Sequence, residues 1–197
     1  MLRWLRQRAE ITHKAGELYG SVVTAARHPA FYDVIGVPDT PEGRFELVAL
    51  HLFLAIESLR REGASAEKLT QRMIEAFVAD MDDCMREMGV GDLTVPKKVK
   101  RAAAAFYERA TIYRRDLAKV GSGDLSASLR SYIFADASER RDDTDALARY
   151  MQDASSALSE QSFELFVESG SASRLLASSP AKTAASGIVT SRLRKRT

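Results

Sequence analysis

Cysteine is nearly missing. Cys84 is the only one in 197 residues, so no disulfide can form within the chain. Long apolar runs are missing too: none approaches the ~20 residues of a membrane-spanning helix. The opening MLRWLRQR holds charges but no apolar core of signal-peptide length. Secretion and membrane spanning are therefore not expected, and a reducing compartment is compatible. No segment alternates apolar and polar residues as a half-buried strand does, and no repeat or sustained heptad is visible. What is present fits an ordinary globular protein, with 45% hydrophobic and 28% charged residues. A chain this long can bury a core without disulfide or metal, as one domain or one domain with tails.

Charge is unevenly spread. Arg3, Arg6, Arg8 and Lys14 near the start face only Glu10. Arg174, Lys182, Arg192, Arg194, Lys195 and Arg196 near the end face no acid at all, which leaves the body between them acidic. The expected organisation is a basic segment over 1–9, a helical domain over 10–168 and a flexible basic tail over 169–197. Basic ends attract phosphate on nucleic acid, ribosome or anionic lipid; a tail that merely keeps the chain soluble is the plainer alternative.

Proline and glycine set the breaks. Ile11, Ala15, Leu18, Val22 and Ala25 predict a first helix from about Glu10 to Arg27, ended by His28-Pro29. Residues 30–41 read as a loop, unusually apolar through Phe31, Tyr32, Val34, Ile35 and Val37, which should lie on the core. The second helix, about 42–62, is apolar on nearly every side: Phe45, Val48, Leu52 and Leu59 on one, Leu47, Leu50, Phe53 and Leu54 on the other. Such a helix is central and buried. A third helix follows to about Met88, with Ser65 as cap and Gly89 closing it. The fourth starts at Pro96. A short one follows Asp124, its expected cap, and the last runs from Asp142 to about Glu168. The expectation is all-α: about six helices around the second, in one compact domain.

Two helical faces suggest sites. The fourth helix carries a basic stripe, Lys97, Lys100, Arg101, Arg115 and Lys119, interrupted by Glu108. It is either a patch for phosphate or an acidic partner, or an ordinary solvated face. On the third helix Asp80 falls within the apolar arc of Leu69, Met73, Phe77, Met81, Cys84 and Met88, and a carboxylate there needs a partner. Arg44, His51 and Ser58 recur every seven residues on the second helix. Asp80 is therefore expected to meet Arg44 or His51, or to cap a loop amide, as a structural lock, a catalytic pair being the sharper alternative.

Motifs for chemistry are weak. Glu10-Ile-Thr-His13 is half of a di-iron motif, without its second copy. Asp80, Asp82 and Asp83 point in different directions from one helix. Gly89-Val-Gly91 lacks the third glycine and preceding strand of a dinucleotide loop. Cys84 on an apolar arc is expected to be inert.

Several collinear blocks together resemble the ubiquinol–cytochrome c chaperone family. They are Ala26-Arg27 with Pro29-Ala-Phe31-Tyr32; Gly36-Val-Pro-Asp-Thr40 leading to Gly43-Arg44-Phe45-Glu46; Leu50-His51; Phe77-Val-Ala-Asp80-Met81-Asp82-Asp83; Arg86-Glu87-Met88-Gly89-Val90-Gly91-Asp92; Val95-Pro96-Lys97-Lys98; and Phe106-Tyr107. The resemblance covers roughly 15–170 and looks like the bacterial branch. It implies an all-helical, non-enzymatic assembly factor without cofactor, metal or catalytic residues. It also implies cytochrome b of complex III as client, a ribosomal contact near the exit tunnel and a small partner protein. A cytoplasmic location, peripheral at the inner face of the membrane, follows as an expectation. A client-holding surface must be apolar and exposed, and Phe31, Tyr32, Val34, Ile35, Val37 and Met85 are the candidates. Met81 and Met88 are expected in the core. The basic stripe and tail are candidates for ribosomal RNA or anionic lipid. Two other classes stay open: an RNA- or ribosome-binding module with no client, and a small helical enzyme or ligand carrier near Asp80 and His51.

Overall fold

The structure, a computed structural model, describes residues 2–119, 121, 123–134 and 141–160. Among them lie seven α-helices and a 3-10 turn, and no strand. They are α1 (Leu2–Ala26), α2 (Ala30–Asp33), α3 (Pro41–Leu59) with the 3-10 turn Arg60–Glu62, α4 (Ala64–Glu87), α5 (Val95–Leu117), α6 (Asp124–Ile133) and α7 (Arg141–Ser159).

The all-α expectation holds, and α3 is the central helix. It touches α1, α4, α5, α6 and α7, and it buries an unbroken run from Glu46 to Ala55. Its start is well specified: Thr40 accepts a hydrogen bond from the Gly43 amide at 3.1 Å, and Pro41 occupies the first turn. Around it α1 lies along α4, α5 against α4 and α6, and α7 against α6. Phe77 of α4 ties three of these layers together, its ring 6.4 Å from Tyr19, 6.2 Å from Phe45 and 5.4 Å from Phe106.

Boundaries differ from the sequence expectation where caps differ. α1 starts at Leu2, well before Glu10. α4 starts at Ala64 behind Gly63, not behind a serine cap at Ser65. α6 starts at Asp124 behind Gly123 (φ 74°), so the glycine, not the aspartate, sits at the cap. Gly89 (φ 76°) closes α4 as expected. The apolar loop contains one helical turn, α2. The expected end of the last helix, 161–168, and the tail over 169–197 lie outside the described residues.

Candidate functional site

Asp80, Arg44 and His51 do not come together. Arg44 stands in the first turns of α3 and reaches back to Asp39 at 2.6 Å, both side chains exposed. That pairing holds the Asp39 carboxyl below its ordinary range. His51 lies two turns further along α3, fully buried. Its Nδ1 is 2.7 Å from the Leu47 carbonyl oxygen, which can only accept, so Nδ1 carries the proton. Nε2, 2.8 Å from the Tyr150 hydroxyl, then accepts from it. The ring is neutral and satisfied on both sides; burial lowers its pKa to about 4. Asp80 faces α1 instead: the Tyr19 hydroxyl donates to it at 2.6 Å, and the Cys84 thiol sits 3.9 Å away. Burial and then the carboxylate push the Tyr19 pKa up. The lock at Asp80 therefore joins α4 to α1, because α4 turns that face to α1 rather than to the polar stripe of α3.

The strongest polar lock is one that helical periodicity did not single out. Glu46 on α3 and Arg109 on α5 are both largely buried. Arg109 Nε reaches the Glu46 oxygens at 2.7 and 2.9 Å, and one terminal nitrogen adds a bond at 2.7 Å. The guanidinium lies 4.3 Å over the Tyr132 ring. Burial pushes the Glu46 carboxyl up while the guanidinium pulls it back. Glu46, an acid between Phe45 and Leu47 at the head of the apolar run of α3, was the available signal.

The basic stripe divides into two halves. Arg115 Nε bonds the buried Asp116 at 2.8 Å, and Ser128 donates to the same carboxylate at 2.6 Å. Lys119 lies 3.1 Å from Asp124. The Ser128–Asp116 bond ties α5 to α6, and Lys119, just past α5, reaches the first residue of α6. Lys97, Lys100 and Arg101, at the other end, are exposed, and none of them forms an ion pair among the described residues. Glu108 accepts from the Tyr132 hydroxyl at 3.2 Å.

Three of the apolar loop's candidates are core residues. Phe31, Ile35 and Val37 are buried, so they cannot present a surface. Backbone bonds from Val34 and Ile35 to the Ala30 carbonyl, and from Val37 to Phe31, fold the loop down. Phe31 sits edge-on to His51 and Tyr150, with ring centroids 5.1 and 5.0 Å away. Tyr32 is half-buried and Val34 is 45% exposed. Met85 is half-buried and Met81 packs on the core. Met88, expected in the core, is 57% exposed, because α4 ends at Glu87 and Met88 caps it outside the helix. Leu93 is 99% exposed and Tyr107 54%.

Among the described residues no three His, Cys, Asp or Glu side chains are grouped to hold a metal, and no helix is long and apolar enough to cross a membrane. A shallow cleft of ≈ 180 Å³ beside Lys119, Gly123, Asp145 and Arg149 is below the roughly 300–1,000 Å³ usual for small-molecule sites.

A family model described as ubiquinol-cytochrome C chaperone matches residues 33–172. The crystal structure of the Cbp3 homolog from Brucella abortus is similar with a TM-score of 0.74 and 32% identity, over 84% of this chain and 92% of that one. Among curated proteins none matches.

Proposed function

Because the chain belongs to the ubiquinol–cytochrome c chaperone family, we propose that it serves complex III assembly as a non-enzymatic factor that holds newly made cytochrome b. The match over 33–172, together with the shared fold, carries this reading. The client face is Tyr32, Val34 and Met85, with Phe31, Ile35 and Val37 as its rigid floor. Methionine and a half-buried tyrosine suit an apolar client of varied shape. The protein works peripherally at the membrane where its client is inserted, with a small partner protein as co-factor in assembly. Deleting the gene lowers assembled complex III and leaves the cytochrome b transcript intact. Val34→Asp reproduces the loss with normal protein levels. Unchanged complex III in the deletion strain sinks the proposal.

A second reading is favoured by the exposed Lys97, Lys100 and Arg101: docking on ribosomal RNA near the exit tunnel. It predicts ribosome co-sedimentation that falls steeply with salt and with alanine at those three positions. Binding indifferent to both rejects it.

A further inference from the structure

The turn between α4 and α5 carries the barest apolar side chain of the described molecule. Leu93 is 99% exposed, Met88 at the end of α4 is 57% exposed, and Pro96 beside them is exposed as well. A single leucine on a surface is ordinary; here an exposed leucine and an exposed methionine lie five residues apart in one short turn. Charge surrounds this turn in a particular way. Residues 86–101 contain five basic residues and two acidic ones. Asp92 is held by Arg86 at 2.6 Å, as is Asp82 at 2.5 Å, so the acid nearest the tip is already neutralised. Lys97, Lys98, Lys100 and Arg101 follow within two turns of helix, all exposed. Lys97 and Lys98 sit in the first turn of α5, where the helix dipole disfavours cations, and that turn holds no acid to offset them. Helix stability does not account for cations there.

We infer that the α4–α5 turn docks the protein on an anionic lipid surface. Leu93 and Met88 enter the headgroup layer, and Lys97, Lys98, Lys100 and Arg101 lie against the phosphates. Nucleic acid fits less well, since a leucine offers neither a stacking face nor a hydrogen bond. The inference rests on the peripheral station proposed above and names the surface that provides it.

The test uses the full chain and vesicles of phosphatidylcholine, with or without phosphatidylglycerol. The protein sediments with the anionic vesicles and stays free of the zwitterionic ones. Leu93→Asn weakens binding about tenfold, and alanine at Lys97 or Lys98 roughly fivefold each. A polarity-sensitive dye attached after Leu93→Cys, in a Cys84→Ser background, shifts to the blue on binding; the same dye after Ser156→Cys on α7 does not. Sedimentation with no shift at position 93 places binding elsewhere, the 174–197 tail included, and overturns the inference. Binding to single-stranded RNA without vesicle binding overturns it too and gives the lysines to nucleic acid. Complex III is measured separately: its loss on gene deletion, with no vesicle binding, defeats the docking surface alone. Vesicle binding with normal complex III defeats the chaperone reading alone.

Discussion

Phe31 and Leu93 both sit in glycine-containing turns between helices, yet one is completely buried and the other almost completely bare. The first turn, residues 28–40, is bonded to itself through Ala30 and Phe31 and lies on a bed of His51 and Tyr150. The second, residues 88–94, is bonded to itself from Thr94 to Gly91 and to the end of α4 from Val90 to Met85. What it lacks is an element beyond it. Apolar content therefore does not decide whether a turn is core or surface; the presence of a helix to receive it does. In the first turn apolar residues stabilise the fold. In the second they are free for another partner.

The comparison is sharpest in Phe31→Ala against Leu93→Ala. Removing the Phe31 ring leaves a cavity on α3 and costs about 3–5 kcal/mol in urea unfolding. Comparable losses from the two substitutions would erase the distinction. Gly43→Ala attacks the first turn from below: a Cβ there would lie 2.0 Å from the Pro38 carbonyl oxygen, which is backbone and cannot swing away. A loss of roughly 1–3 kcal/mol follows from the forced shift; full stability would mean that the turn is not seated on α3 as described.

A third prediction concerns the histidine beneath the first turn. The fold keeps His51 neutral down to about pH 4, whereas the unfolded chain protonates it below about 6.5. The unfolded state thus takes the proton first, and stability falls as pH drops from 6.5 towards 4. At pH 5 this contribution is roughly 2 kcal/mol. Comparing unfolding at pH 7 and pH 5, wild type should lose about that much more than His51→Leu, whatever the variant's starting stability. Equal losses would show that the ring is not held neutral. The smallest effect is at the second turn, where Leu93→Ala leaves stability within about 0.5 kcal/mol.

Much of the architecture was legible because it rests on local rules. Proline and glycine marked the breaks, and the all-round apolar pattern of residues 45–59 identified the central helix without knowledge of its neighbours. The site was less legible because partners are a tertiary property. Periodicity put Asp80 on an inward face but could not say whether α1 or α3 lay opposite, and Tyr19 took the place expected for Arg44 or His51. The same gap hid Glu46 and Arg109, which are 63 residues apart and meet only when α3 and α5 pack. The loop over 30–41 was correctly expected to lie on the core, which is also why Phe31, Ile35 and Val37 are unavailable as a surface. Met88 was misplaced because the apolar arc was continued past Glu87, where α4 ends.

The contact between His51 and Tyr150 spans 99 positions of chain. Synthesis proceeds from the N-terminus, so the middle of α3 is made long before the helix that covers it. Until α7 emerges, His51 Nε2 lacks the hydroxyl that donates to it, and the Phe31 ring lacks the Tyr150 ring that packs edge-on to it. Docking of α3 against α1 and α4 can proceed during translation, but closure of the core waits until α7 (Arg141–Ser159) has been made. A chain halted before Tyr150 is left with its most apolar helix open on one side.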